Sequence, residues 1–160
     1  MKSIISFVLS ILMIVVAIVS YAGESEIAYP QVYRNWFHVK SMLIKPGHAL
    51  ETPFQGIHHV YANAKAANGL KNGAYSDGAV LIFDLLNYSD KDLTIQEGAR
   101  KLLGVMHKDA RKYASTGGWG FEGFAGDSKT ERLVKDGGTS CFSCHASEKK
   151  MDYVFSQPHN

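Results

Sequence analysis

Hydrophobic and polar positions fall into three textures along the chain, and each predicts a different element. Met1-Lys2 leads into an apolar run from Ile4 to Val19, broken only by Ser6 and Ser10. Pro30 suits the first turn of a short helix carrying Tyr33 and Trp36. From Phe37 to Ile44 the texture switches to alternation, with Phe37, Val39 and Ser41 opposed to His38, Lys40 and Met42, which predicts a strand closed by Pro46-Gly47. Phe54 to Tyr61 alternates again and predicts a strand with Phe54, Gly56, His58 and Val60 on one face and Ile57, His59 and Tyr61 on the other.

Asn63 is placed to cap an alanine-rich helix through Leu70 that Asn72-Gly73 ends. Behind the Asp77-Gly78 turn, the apolar run Ala79 to Leu86, bounded by Asn87-Tyr88-Ser89-Asp90, predicts a buried strand with Leu81, Phe83 and Leu85 on one face. Lys101 to His107 reads as a strand and Asp109 to Ala114 as a helical turn. Trp119 to Phe124 reads as a glycine-and-aromatic strand entered through Gly117-Gly118. Leu133 to His145 reads as a helix interrupted at Gly137-Gly138, with Tyr153-Val154-Phe155 packing back on the body. The sum is α+β: a mainly antiparallel β-sheet with short helices, no internal repeat and no low-complexity stretch.

The first 22 residues have a basic start, an apolar middle and small residues before Gly23, which predicts a signal peptide (1–22) cleaved after Ala22. The alternative is an uncleaved membrane anchor, although the run falls short of the ~20 residues that span a bilayer. Residues 23–160 then form one domain of 138 residues, long enough for a real core. A formal charge of +2, or +1 without Lys2, implies no polyanionic partner and sets nucleic-acid binding aside. Export with only two cysteines leaves no structural disulfide once both are otherwise used. The expected compartment is a bacterial periplasm.

Those two cysteines lie in Cys141-Phe142-Ser143-Cys144-His145, a C-x-x-C-H segment of the kind that attaches a c-type haem. Two thiols one helical turn apart add across the haem vinyl groups, and the adjacent His145 supplies the proximal imidazole to iron. Zinc would want about four ligands, and no second cysteine pair or histidine couple lies nearby. A Cys141–Cys144 redox disulfide is the other reading, in which the following histidine is coincidental. One covalent haem c is the expectation. Met106 and Met42 are possible distal ligands, but each sits in an apolar stretch where methionine more often fills a core. Met151 follows His145 too closely to cross to the far side.

A haem motif at the C-terminal end of a β-rich exported domain resembles the cytochrome P-460 and cytochrome c'-beta family. The resemblance rests on Tyr33-Arg34-Asn35-Trp36, Phe54 with Ile57 and Val60-Tyr61, Asp77-Gly78, Gly118-Trp119, Cys141 to His145, and Met151-Asp152-Tyr153-Val154-Phe155. It implies a homodimer and a division at one position. Hydroxylamine-oxidising members carry a lysine joined covalently to the haem ring, and Phe83 aligns with it, offering no amine. The cytochrome c'-beta members look like gas binders with two phenylalanines over the distal side, positions that Phe54 and Phe83 match.

That resemblance predicts five-coordinate iron beneath two apolar rings. Such a pocket denies bound dioxygen the donor it gains most from and tilts the site towards nitric oxide. His58 shares the predicted face of Phe54 and is a candidate polar gate, proton donor or sixth ligand. Glu122 reads as a proton relay or a solvated charge, and Lys149 and Lys150 as propionate partners or surface charges. Three functions follow: nitric oxide binding for scavenging, buffering or sensing; oxidation of hydroxylamine; or electron transfer to a redox partner protein.

Overall fold

The computed structural model describes residues 27–157; the expected signal segment lies outside them. Five strands, β1 (Phe37–Ile44), β2 (Gly56–Ala62), β3 (Val80–Lys91), β4 (Thr94–Lys108) and β5 (Trp119–Ala125), form one sheet in sequential order. Every neighbouring pair is antiparallel, so the sheet is a meander, within the expected α+β class.

Cross-strand partners share a face, and the register therefore sorts the sheet into two sides. Val60, Phe83, Gly104 and Gly123 form one row; Ala62, Leu81, Met106 and Phe121 form the next on the same side. This side carries the larger core, closed by Ala66 and Leu70 from the helix Ala64–Asn72, by Tyr75 and by Val154. The opposite side buries Ile82, Leu103, Val105 and Phe124 against Tyr33. In its midst lies Asp84, fully buried, accepting from Tyr33 Oη at 2.7 Å, Arg34 Nη2 at 2.8 Å and Arg100 Nε at 2.6 Å. Burial alone would raise the Asp84 pKa, but hydrogen bonds from Arg100, Tyr33 and Arg34 outweigh it and hold the carboxyl below its ordinary value.

The expected cap is in place. Asn63 Oδ1 accepts from the Ala66 amide at 2.9 Å and the Val80 amide at 3.1 Å, fastening helix to sheet, and Gly73 ends the helix in the left-handed region at φ 69°. Gly69 within the helix is required by a close approach: an added Cβ would lie 2.2 Å from the Tyr75 ring.

Four expectations need correction. Phe54 does not lie on the second strand; it closes the single helical turn Glu51–Phe54, with β2 starting at Gly56. Strand β3 does not stop at Leu86 but runs to Lys91, and the polar stretch continues through an Asp92-Leu93 turn into β4. A bulge between His38 and Lys40 breaks the alternation of β1, so His38 and Ser41 share a side. Leu133 to Asp136 is not helical, because the Leu133 amide donates to Gly123 O at 2.8 Å and the segment lies along β5; the helix begins at Thr139.

Candidate functional site

Over the larger core sits the helix Thr139–His145, which carries both cysteines. Its start is held by Asp136, whose Oδ1 accepts from the Gly138 amide at 3.0 Å and Oδ2 from the Ser140 amide at 2.9 Å. Cys141 and Phe142 rest against the core cluster, yet no residue of this helix is fully buried. Both thiols are free, Cys141 half-buried and Cys144 exposed. The segment therefore has an apolar side that the polypeptide does not finish covering.

His145 ends that helix. Its Nδ1 lies 2.8 Å from the carbonyl of Tyr153. A carbonyl only accepts, so Nδ1 carries the proton and Nε2 keeps the lone pair a metal would take. Phe121 and Phe155 flank the ring at centroid distances of 5.1 and 4.9 Å. Burial lowers the His145 pKa more than the Tyr153 carbonyl raises it, which favours the neutral, ligating state.

The carbonyl that holds His145 is itself pinned. Asp152 and Tyr153 both take left-handed backbone, at φ 51° and 66°, which side-chain-bearing residues adopt only when surrounding contacts impose it. Those contacts are present. Lys108 Nζ donates to Asp152 Oδ1 at 2.6 Å, the Tyr75 amide donates to Asp152 Oδ2 at 3.0 Å, and the fully buried Trp119 donates through Nε1 to the Asp152 carbonyl at 2.8 Å. Gly117 leaves room for the Tyr153 ring, whose nearest atom would be 2.4 Å from an added Cβ. Asp152 thus links three parts of the chain to the turn behind the imidazole.

Along the same side of the sheet, Phe54 meets Phe83 edge-on at 5.7 Å. Phe83 in turn lies 4.5 Å from His58, and it packs against the same core cluster as Cys141. The turn Glu51–Phe54 delivers the first ring to this group from outside the strand. His58 is 3% exposed, and its Nδ1 has no hydrogen-bond partner. Burial, then the nearby Lys40 and His59, push its pKa down to about 4, so this imidazole is neutral near pH 7.

The remaining candidates separate by side. Met106 packs into the core beside Phe83, whereas Met42, opposite His58, is 41% exposed. Glu122 is neither solvated nor near the thiols: on the far side of the sheet it takes Arg132 Nη1 at 2.7 Å. His59 also points to the far side. Lys149 and Lys150 are exposed. A cavity of about 440 Å³ beside Met151, lined in part by Leu70, Lys71 and Lys150, gathers no set of convergent ligands. Trp119 enters the sequence reading at the start of a strand and, with Gly118, in the family resemblance, and Lys108 carries no sequence signal of a role here. Asp152 belongs to the Met151–Phe155 segment of the resemblance, but nothing local marks it as a partner of Lys108 and Trp119.

The residues present fit a haem. Two free thiols stand one turn apart with an imidazole whose Nε2 is left open, over an incompletely covered apolar surface that also holds a buried, unpartnered ring nitrogen. A meander sheet with C-x-x-C-H on a C-terminal helix, and the match to the family below, define a β-sheet haem protein. The Cytochrome P460 family profile matches residues 30–156, and the chain belongs to that family. No curated protein matches it.

Proposed function

We propose that the protein is an exported mono-haem cytochrome that binds nitric oxide or a similar small gas, with Cys141 and Cys144 holding the haem covalently and His145 ligating its iron. The haem supplies an iron position open to a diatomic ligand. The Tyr153 carbonyl orients His145 and fixes its tautomer. Phe54 and Phe83 would exclude water from the side of the haem away from His145 and offer no hydrogen-bond donor. Bound dioxygen, which carries negative charge, gains from a donor; nitric oxide depends on one far less.

The observation that carries this reading is the edge-on Phe54–Phe83 pair on the sheet side that also packs Cys141. Phe83 also lacks the amine that a lysine would bring for a third covalent bond to the ring, which weighs against hydroxylamine oxidation. A second reading, an electron carrier with six-coordinate iron, draws on the unpartnered Nδ1 of the neutral His58. Titration of the ferrous protein with nitric oxide and carbon monoxide tests the proposal. Gas binding predicts stoichiometric nitric oxide uptake with weak carbon monoxide binding. Failure to take up nitric oxide would reject it.

A further inference from the structure

On the sheet side away from the thiols, three strands bring together a cluster that the gas-binding reading does not use. In a regular strand, residues three apart face opposite sides. The bulge at Val39 cancels that rule for His38 and Ser41, which pair with Tyr61 and His59 on the same side. There His38 Nε2 lies 2.9 Å and His59 Nδ1 2.6 Å from the single hydroxyl oxygen of Ser41. The other ring nitrogen of His59, Nε2, is 2.7 Å from Glu97 Oε1 on β4. This close approach lacks hydrogen-bond geometry, so Nε2 is without a hydrogen-bond partner and the carboxylate acts on the ring through its charge.

Two imidazole nitrogens converging on one hydroxyl, one ring with a carboxylate 2.7 Å behind it, suit a late first-row divalent ion. We infer that His38 and His59 form a surface site for such an ion, Zn²⁺ or Cu²⁺, with the Glu97 charge behind His59 favouring the bound cation. The ion sits beside Ser41, between the two rings, with the hydroxyl turned aside. Zinc–nitrogen bonds of ~2.0–2.1 Å require the His38 ring to turn towards His59, a movement open to it because its side chain is exposed. Among the described residues no three His, Cys, Asp or Glu side chains converge on one point, so water completes the shell. Glu97 also faces Arg34 Nη2 at 3.4 Å, but that guanidinium is already engaged by Asp84.

Zinc is the probe of choice because it has no redox chemistry to disturb the haem. Calorimetric titration of the haem-loaded protein with Zn²⁺ is expected to show one saturable equivalent. His38→Ala and His59→Ala should each abolish it, and Glu97→Gln should weaken it about 10- to 100-fold. Ser41→Ala, which keeps both imidazoles, and His48→Ala, in the exposed loop before β2, should leave it in place, and an unchanged haem spectrum in each variant reports a preserved fold. Absence of saturable uptake by the unsubstituted protein, uptake that survives both His38→Ala and His59→Ala, or its loss in Ser41→Ala would overturn the assignment.

Discussion

Asp152→Asn tests whether the proximal turn is held as described. The substitution keeps the shape of the side chain and removes the charge that faces Lys108 at 2.6 Å. It also replaces one acceptor by an amide donor that must face either the Lys108 ammonium or the Tyr75 amide. Removing one partner of a buried ion pair costs about 3–5 kcal/mol. The Asp152 side chain is 20% exposed and Lys108 keeps the Gly117 carbonyl, which discounts the loss to about 2–3 kcal/mol. At about 3–5 °C per kcal/mol for a domain of this size, Tm falls by about 6–15 °C.

The same change should loosen the Tyr153 carbonyl that orients His145, lowering imidazole basicity. Urea unfolding of the haem-loaded variant, followed by far-ultraviolet circular dichroism, reads the first effect. The iron–histidine stretch in resonance Raman reads the second, which a purely global destabilisation would leave in place. In the Lys108→Met, Asp152→Asn double variant, the loss should be smaller than the sum of the single losses. A variant within about 0.5 kcal/mol of the parent with an unmoved stretch would refute the pinning of His145 through Asp152.

Further expectations concern separate parts of the molecule. Asp84→Asn leaves Arg34 and Arg100 without their buried counter-ion and should cost about 3–5 kcal/mol in urea unfolding. Because the folded-state pKa of Asp84 lies below its unfolded value, its contribution is fully present above about pH 4 and is lost as pH falls through the folded value; the parent should lose more stability than Asp84→Asn on acidification. Leu93→Gly relieves a fully exposed leucine held at φ 60° in the β3–β4 turn and should gain about 0.5–1 kcal/mol, read as a higher urea midpoint. Phe83→Ala removes a ring over the proposed gas site; relief of about 1–3 kcal/mol of crowding should raise carbon monoxide affinity about 5- to 150-fold in ferrous titrations.

Much of the scaffold was legible because local chemistry and tertiary demand agree there. Asn63 and Gly73 bracket a helix as their side-chain and backbone preferences require. Alternation placed His58 and Val60 on the buried side of β2. Where the reading failed, a local signal was absent or misleading. The Asp92-Leu93 turn has a leucine where glycine or asparagine would announce a hairpin, so the polar stretch after Leu86 reads as a strand end although β3 and β4 stay paired through it to Lys91 and Thr94. The Val39 bulge inverts the side of His38 and carries no sequence mark. Phe54 reaches Phe83 from a turn, which alternation cannot express. The C-x-x-C-H segment was plain in the sequence; the Asp152 group that supports His145 depends on contacts across 44 and 77 residues of chain.

In the proposed function a haem would be held from one side by His145 and left open beneath the Phe54 and Phe83 rings. The absorption spectrum of the purified ferrous protein without added ligand tests this most directly. A high-spin, five-coordinate spectrum is expected. A low-spin, six-coordinate spectrum, showing the distal position already filled by a side chain, would contradict it.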